Sequence, residues 1–472
     1  MIILDFVSHI LFVLALGYYL ITNLQWYSYK IDRVIFHHTK VWWHLVYFLI
    51  PFGLYLYAGS YGFIVVFLYL AFLFQWYQSL DKKLVFTGRI KRFFIILTFL
   101  TLFEDILCVL ISSCANLGII VPIFMALVIS FSLEAILFEG FKKSAEKKLE
   151  NLKDMTIIGI TASYGKTSIK NFIHHILKDN FKTYATPRSV NTLGGVMKDV
   201  NDDLPSDTEV YVVEMGARGI GDISEITLLV NPHYAIVGKI GVAHLEYFGS
   251  LENIRDTKME IMQSARLKEA WVHDSAYINP SKIIHKFGDE ITDINSSLDG
   301  LSFKLDGMEY STKLLGSFNT INLVASIKVA IAMGMKPEDI QKRISTIEPV
   351  PHRLQRIDAG GKVILDDSFN GNIDGIMASF ELAESYNGRK VLITPGLVEV
   401  DDIFNEEVAK RANEVFDLVV VTGDLNYHIF KALIDENKLF KLQSKDKMEE
   451  MLVENTNIGD LILFANDAPS FI

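Results

Sequence analysis

Cysteine is almost missing from this 472-residue chain, which holds two, Cys108 and Cys114. Two thiols at that spacing exclude a zinc cage, and both read as small apolar side chains within an apolar stretch. Basic excess is lacking too: the formal net charge is −11, concentrated after residue 140, which argues against nucleic acid as a partner. Neither an internal repeat nor a low-complexity tract occurs. The first apolar run has no basic start and no small-residue cleavage site, and further apolar runs follow it. It therefore reads as a span rather than a secretory signal peptide.

What the chain has in excess is apolar length. Half of it is hydrophobic (50%), mean hydropathy is +0.27, and nearly all of the surplus lies before residue 140. Runs at Ile2 to Leu20, Val41 to Tyr57, Gly62 to Phe74, Phe93 to Ile111 and Leu117 to Phe138 have the length of bilayer-spanning helices, which predicts about five spans. Only Ala58-Gly-Ser-Tyr61 separates the second from the third, so four spans is the alternative count. Lys30, Arg33 and Lys40 follow the first run, Lys82, Lys83, Arg89, Lys91 and Arg92 the third, and Lys142, Lys143, Lys147 and Lys148 the fifth. These basic segments share the cytoplasmic side under the positive-inside rule. The expectation is a multi-pass protein of the bacterial cytoplasmic membrane, with everything after residue 140 in the cytoplasm. Glu104 and Asp105, costly in lipid, are expected to face other helices or the interface, either as a lipid or partner site or as a buried structural pair.

Beyond the apolar region the pattern changes. Residues 141–154 form a charged, helix-compatible linker, after which strand-like and helix-like stretches alternate: Thr156 to Ile160, Thr167 to Leu177, Val210 to Val213, Ile220 to Leu229, Tyr234 to Val237 and Leu251 to Ala265. Such alternation predicts a mostly parallel sheet with helices on both faces, binding ligands at the strands' carboxyl ends. A second alternating block starts near Pro349, with strands Val363 to Leu365, Lys390 to Thr394 and Leu418 to Thr422. Leu301 to Leu315 alternates around Asp306-Gly307 and reads as a hairpin. The fold class expected is an α-helical transmembrane region followed by α/β: a P-loop parallel-sheet ATPase domain and a smaller C-terminal Rossmann-like α/β domain. The boundaries are 1–140, 141–154, 155–348 and 349–472.

The chemistry is expected at Ser163-Tyr-Gly-Lys-Thr167, where a β-branched strand turns abruptly into a helix. Such a turn brings backbone N–H groups and a helix N-terminus to one point, and Lys166 adds positive charge, as a phosphate-binding loop requires. The match is imperfect, because Ile160 stands where the common pattern has glycine. Glu214 ends the apolar run Val210 to Val213, so its carboxylate emerges at a strand's carboxyl end. Thr167 and Glu214 are hard oxygen ligands suited to magnesium. His244 follows the strand Tyr234 to Val237 at the same presumed edge.

The segment Ala243-His-Leu-Glu-Tyr-Phe-Gly-Ser-Leu-Glu-Asn-Ile254, with Lys258-Met-Glu-Ile261, resembles the signature of the Mur ligases, ATP-dependent amide ligases of peptidoglycan precursor synthesis, and is most similar to the MurF type. The likeness extends through Glu214-Met-Gly216, Gly316-Ser-Phe-Asn-Thr-Ile-Asn322, His352-Arg353, Asp366-Asp-Ser-Phe-Asn-Gly-Asn372 and Pro395-Gly-Leu-Val-Glu399. It implies ATP and Mg2+ as cofactors. Ser163, Gly165, Lys166, Thr167, Ser168, Asn319, Asn322, Arg353 and Asp367 would contact the nucleotide. Thr167, Glu214, His244 and Lys258 would serve the metal, with Lys258 carbamylated; Lys166, Glu214, His244 and Lys258 form the implied catalytic set. Asn191, Asn370 and Asn372 are the implied substrate contacts. The implied reaction joins a muropeptide precursor to D-alanyl-D-alanine through an acyl phosphate, with membrane lipid and cell-wall synthesis proteins as further partners.

The sequence departs from the family at Ala162, where glycine is usual, at Lys239 (Asn), Phe318 (His), Phe369 (Tyr) and Ile373 (Pro). Apolar runs also replace the family's uridine-gripping first domain. The alternatives are a membrane ligase of the poly-γ-glutamate synthetase kind, an ATP-driven transporter, or a non-catalytic membrane scaffold with a Mur-like nucleotide-binding module. No Leu-Ser-Gly-Gly-Gln-like signature supports the transporter.

Overall fold

The computed structural model describes residues 2–27, 29–36, 40–80, 82–111, 118–242, 245–276, 281–369, 371–398, 400 and 402–466. The chain divides into two units, Met1–Gly140 and Phe141–Ile472.

The first unit is helical. Among the described residues three helices are long and apolar enough to cross a membrane: Leu4–Trp26, Gly88–Leu110 and Ile120–Asn151. The second and third runs form the shorter apolar helices Trp42–Ala58 and Gly62–Gln78, parted by a 3-10 turn at Gly59–Tyr61. At about 1.5 Å per residue, the 17 residues of Gly62–Gln78 reach roughly 26 Å, short of a bilayer core of about 30 Å. Three long helices and a shorter helical pair thus stand, among the described residues, where about five spans, or four, are predicted. Aromatic rings fill the unit's core: Trp76 packs 5.1 Å from Tyr19 and 5.8 Å from Trp43, centroid to centroid. Asp105 is buried and pairs with His9 at 2.7 Å, which favours the structural-pair reading for this position, while Glu104 is half-buried. Cys108 is half-buried rather than buried, and Cys114 lies outside the described residues.

Among its described residues the second unit holds three sheets. The first, ordered β2-β3-β1-β4-β5-β6, is parallel throughout: β1 (Thr156–Thr161), β2 (Thr183–Ala185), β3 (Val210–Glu214), β4 (Tyr234–Val237), β5 (Glu269–His273) and β6 (Ile284–Phe287). Its central strands read as unbroken apolar runs because both faces are covered. On one face Ile169, Phe172, Ile173 and Ile176 of helix Lys166–Leu177 share a core with helix Asn319–Ala332. On the other, Val196, Met197 and Val200 of helix Leu193–Asp202 share a core with Ala145 and Leu149. The charged stretch after residue 140 is helical to Asn151 and buries two side chains one turn apart.

A small antiparallel sheet follows, of β7 (Ile291–Ser297), β8 (Gly300–Leu305) and β9 (Met308–Thr312). The turn between β8 and β9 is Asp306-Gly307, both at positive φ (51° and 79°), the hairpin geometry that this residue pair favours. The last sheet, ordered β10-β11-β15-β12-β13-β14, comprises β10 (Gln355–Ala359), β11 (Lys362–Asp367), β12 (Lys390–Thr394), β13 (Leu418–Thr422), β14 (Leu439–Leu442) and β15 (Leu461–Ala465). Only β10 runs antiparallel to its neighbour.

Candidate functional site

The carboxyl ends of β1, β3 and β4 lie side by side, with Ile160 opposite Glu214 and Thr161 opposite Val237. The chain leaving β1 turns through Ser163-Tyr164-Gly165 into helix Lys166–Leu177. Gly165 has φ of 80°, and a Cβ there would collide with the Asn322 amide, so the turn tolerates no side chain. Lys166 folds back over the turn, its Nζ donating to the carbonyls of Ala162 (2.8 Å) and Ser163 (3.1 Å). Desolvation pushes its pKa down; Glu214 opposes that shift and Arg353 adds to it. All three charges therefore converge on one place.

Glu214 is 1% exposed. Its Oε1 accepts from Asn191 Nδ2 at 3.0 Å, and its backbone N donates to Thr186 Oγ1 at 3.1 Å. Asn191 comes that close because residue 216 is glycine: a Cβ there would meet the Asn191 side chain at 2.7 Å. The other oxygen, Oε2, is buried and receives no hydrogen bond. It stands 3.7 Å from Lys170 Nζ. A buried carboxylate oxygen left without a donor is costly unless a cation occupies it. Together with the Thr167 hydroxyl on the same cavity it fits magnesium, which takes one or two protein oxygens and completes its shell with phosphate and water. Among the described residues no group of three or more His, Cys, Asp or Glu side chains forms a metal cage by itself.

The last sheet contributes the opposite wall of the cavity, whose volume is about 490 Å³. Arg353, Asp367, Asn372 and Asp374 line it together with Ser163 to Ser168, Asn191, Glu214 and Asn322. Arg353 is flanked by His352 and Leu354 at positive φ (63° and 54°), and its Nη1 donates to the Phe369 carbonyl at 2.6 Å. Desolvation lowers its pKa against the opposing charges of Asp367 and Glu214. Across the cavity Lys239 pairs with Asp374 at 2.8 Å. Phe318, Ile321, Val398 and Val400 supply an apolar wall.

The remaining predicted residues fall in different places. Asn319 is buried off the cavity: it donates to the Leu315 carbonyl (2.7 Å) and accepts from Asn322 (3.2 Å), so it orients Asn322. Neither asparagine caps its helix, whose N-cap position is Phe318. Asn372 does cap one, accepting from Gly375 N at 2.9 Å at the start of helix Ile373–Glu384. Lys258 is 4% exposed and does not line the cavity. Desolvation and the nearby Lys166 charge bring its pKa down to about 7, against the pull of Asp222 and Glu260. His244 and Asn370 lie outside the described residues. Lys170 and Asp374 were missed by sequence reasoning. The signal for Lys170 was its place four residues after Lys166, on the same helical face.

Residues 160–330 match the model of the Mur ligase middle domain. The chain is 29% identical over 334 residues to the UDP-N-acetylmuramoyl-tripeptide--D-alanyl-D-alanine ligase of Bacillus subtilis, covering 65% of this chain and 72% of the relative. It is 27% identical over 265 residues to the Escherichia coli protein of the same name, covering 52% of this chain and 58% of the relative. The chain thus spans less than two thirds of the Escherichia coli relative's length, and 55% of the Synechocystis one. Among solved structures, MurF ligase from Thermotoga maritima in complex with ADP superimposes with a TM-score of 0.62 at 25% identity, over 70% of this chain and 80% of that one.

Proposed function

From the premise that this chain is a homologue of the Mur ligases and carries their middle domain, we propose that it is an ATP-dependent amide ligase of the MurF type. It would join a muropeptide carboxylate to D-alanyl-D-alanine. The observation that supports this most is Glu214 Oε2, a buried oxygen without a donor on the wall of a cavity shared with Lys166, Thr167 and Arg353.

In this reading Ser163-Tyr-Gly-Lys-Thr167 is a phosphate loop. Its amides, Lys166 and Ser168 hold the β- and γ-phosphates, and Asn322 and Asp367 orient the nucleoside. Thr167 and Glu214 would hold one magnesium, and His244 with a carbamylated Lys258 a second; the two ions would supply charge neutralisation at the transferred phosphoryl group. Arg353 approaches the same group from the last sheet. The substrate carboxylate oxygen bonds to the γ-phosphorus as the bond to ADP breaks. The incoming amine then attacks the acyl carbon, releasing phosphate and a proton. No protein nucleophile takes part, so positioning and electrostatics carry the rate. The cavity walls exclude water from the acyl phosphate.

We further read the first unit as a multi-pass anchor in the bacterial cytoplasmic membrane. Trp42–Ala58 and Gly62–Gln78 come as a pair, so whether both cross or both only dip in, the basic segments on either side of them stay on one face. The ligase would then work at the cytoplasmic surface, on a UDP-linked or lipid-linked precursor.

The test is phosphate release by the full chain in membranes with ATP and a muropeptide tripeptide, comparing D-alanyl-D-alanine and glutamate as acceptors. D-Alanyl-D-alanine should stimulate release, and Lys166→Met and Glu214→Ala should each lower it about 10²- to 10⁴-fold without changing membrane insertion. Stimulation by glutamate alone, or full turnover in both variants, would overturn the proposal.

A further inference from the structure

Lys170 is the bulkiest charge in the first sheet's core, only 1% exposed, and the reading above gives it no work. Burying an ammonium is costly unless its partners are specific. They are: Nζ donates to the Arg188 carbonyl and stands 3.7 Å from Glu214 Oε2, an ion pair without a hydrogen bond. Arg188 belongs to the loop between β2 and helix Leu193–Asp202, where its own side chain is exposed and its φ is 49°. The same loop supplies Thr186 and Asn191, which grip the backbone N and Oε1 of Glu214. One ammonium thus ties a left-handed loop residue to the oxygen that hydrogen bonding leaves over.

We propose that Lys170 is a positioning residue: it fixes the loop Thr186–Thr192 against Glu214 and thereby aims Oε2 at the cation that accompanies the nucleotide. It touches neither nucleotide nor substrate. Lys166 and Lys170 then divide the work of one helix face, the first toward phosphate and the second toward the carboxylate. The proposal rests on the magnesium role of Glu214, but its test does not need amide formation.

The test compares the full chain with Lys170→Met, which keeps length and apolar stem, and with Lys170→Arg, which keeps the charge and the donors. Arg188 is itself a trypsin site, so release of the loop is read as cleavage of the Arg188–Ser189 bond, with cleavage after the exposed Lys178 as internal reference. In Lys170→Met that bond should be cut at least about tenfold faster relative to the reference, and the Mg2+ concentration that half-saturates ADP binding should rise about fivefold or more. Lys170→Arg should recover most of both. Wild-type values of either quantity in Lys170→Met would overturn the proposal, as would equal acceleration at Lys178, which marks general loosening. Failure of the ligase reading would instead appear as wild-type protein that binds Mg·ADP and makes no amide.

Discussion

Lys239, just beyond β4, and Asp374, in the first turn of helix Ile373–Glu384, form an ion pair of 2.8 Å across the cavity between the first and last sheets of the second unit. The side chains are 39% and 46% exposed, so the pair is screened and worth no more than about 1 kcal/mol. That suffices to bias how firmly the two walls of the cavity hold together. Lys239→Asn should raise the KM for ATP about two- to fivefold with little change in kcat. The effect should fade at high salt, and the exchange Lys239→Asp with Asp374→Lys should restore the wild-type value. Steady-state kinetics at two ionic strengths check it.

Gly165 tests the loop itself. Alanine at φ of 80° is strained by about 1 to 3 kcal/mol, and its Cβ would also displace the Asn322 amide. Gly165→Ala should weaken ADP binding at least about tenfold, while Gly249→Ala, at φ of 73° but with open space around it, should leave binding unchanged. Calorimetric titration with Mg·ADP separates the two.

The parts of this site legible in the sequence were those tied to buried parallel strands. β1, β3 and β4 are short apolar runs because both faces of the sheet are covered, and each ends at a chemically marked residue or turn. The edge strands β6 (Ile-His-Lys-Phe), β14 (Leu-Phe-Lys-Leu) and β10 (Gln-Arg-Ile-Asp-Ala) escaped because they are short and mix charged with apolar residues, and the buried central strand β15 escaped as well. Lys170 escaped because nothing in composition announces a buried lysine; its burial depends on a carbonyl and a carboxylate brought from elsewhere in the chain. The meeting of Asp374 with Lys239 is likewise a long-range pairing without a local signal. The second and third apolar runs were legible as helices, but their ends were not, because a run's hydropathy reports its composition and not where its helix stops.

Lys258 makes a prediction with a definite pH window. Its amine falls to about 7 because burial and Lys166 disfavour the charged form, whereas the unfolded chain would hold it near the ordinary lysine value. Folded protein therefore binds fewer protons than unfolded between the two values, and this lysine's penalty on stability grows as pH falls toward 7. The neutral amine, which alone reacts with CO2, should make up roughly nine-tenths of Lys258 at pH 8 and one-tenth at pH 6. Carbamate trapped from bicarbonate and read by mass spectrometry should follow that curve at Lys258. Trapping that rises only near pH 10 would contradict the assigned environment.

Leu149 decides whether the charged stretch after residue 140 is structural. Lys142, Lys143, Lys147 and Lys148 mark it as a charged, helix-compatible linker, and within it Ala145 and Leu149 lie four residues apart on one helical face and are 0% and 7% exposed among Val196, Met197 and Val200. Lys148 Nζ donates to the Asn201 carbonyl at 3.3 Å, and Asn201 Nδ2 donates to the Phe141 carbonyl at 2.9 Å, so the contact is also held at its rim. Removing a buried leucine costs about 2 to 5 kcal/mol, while an exposed hydrogen-bonded rim contributes about 1 kcal/mol. Leu149→Ala should therefore lower the midpoint of thermal unfolding, read by ADP-sensitive calorimetry, well beyond Lys148→Ala. Equal, small shifts in both would mean that the helix end is not part of the core of the first sheet.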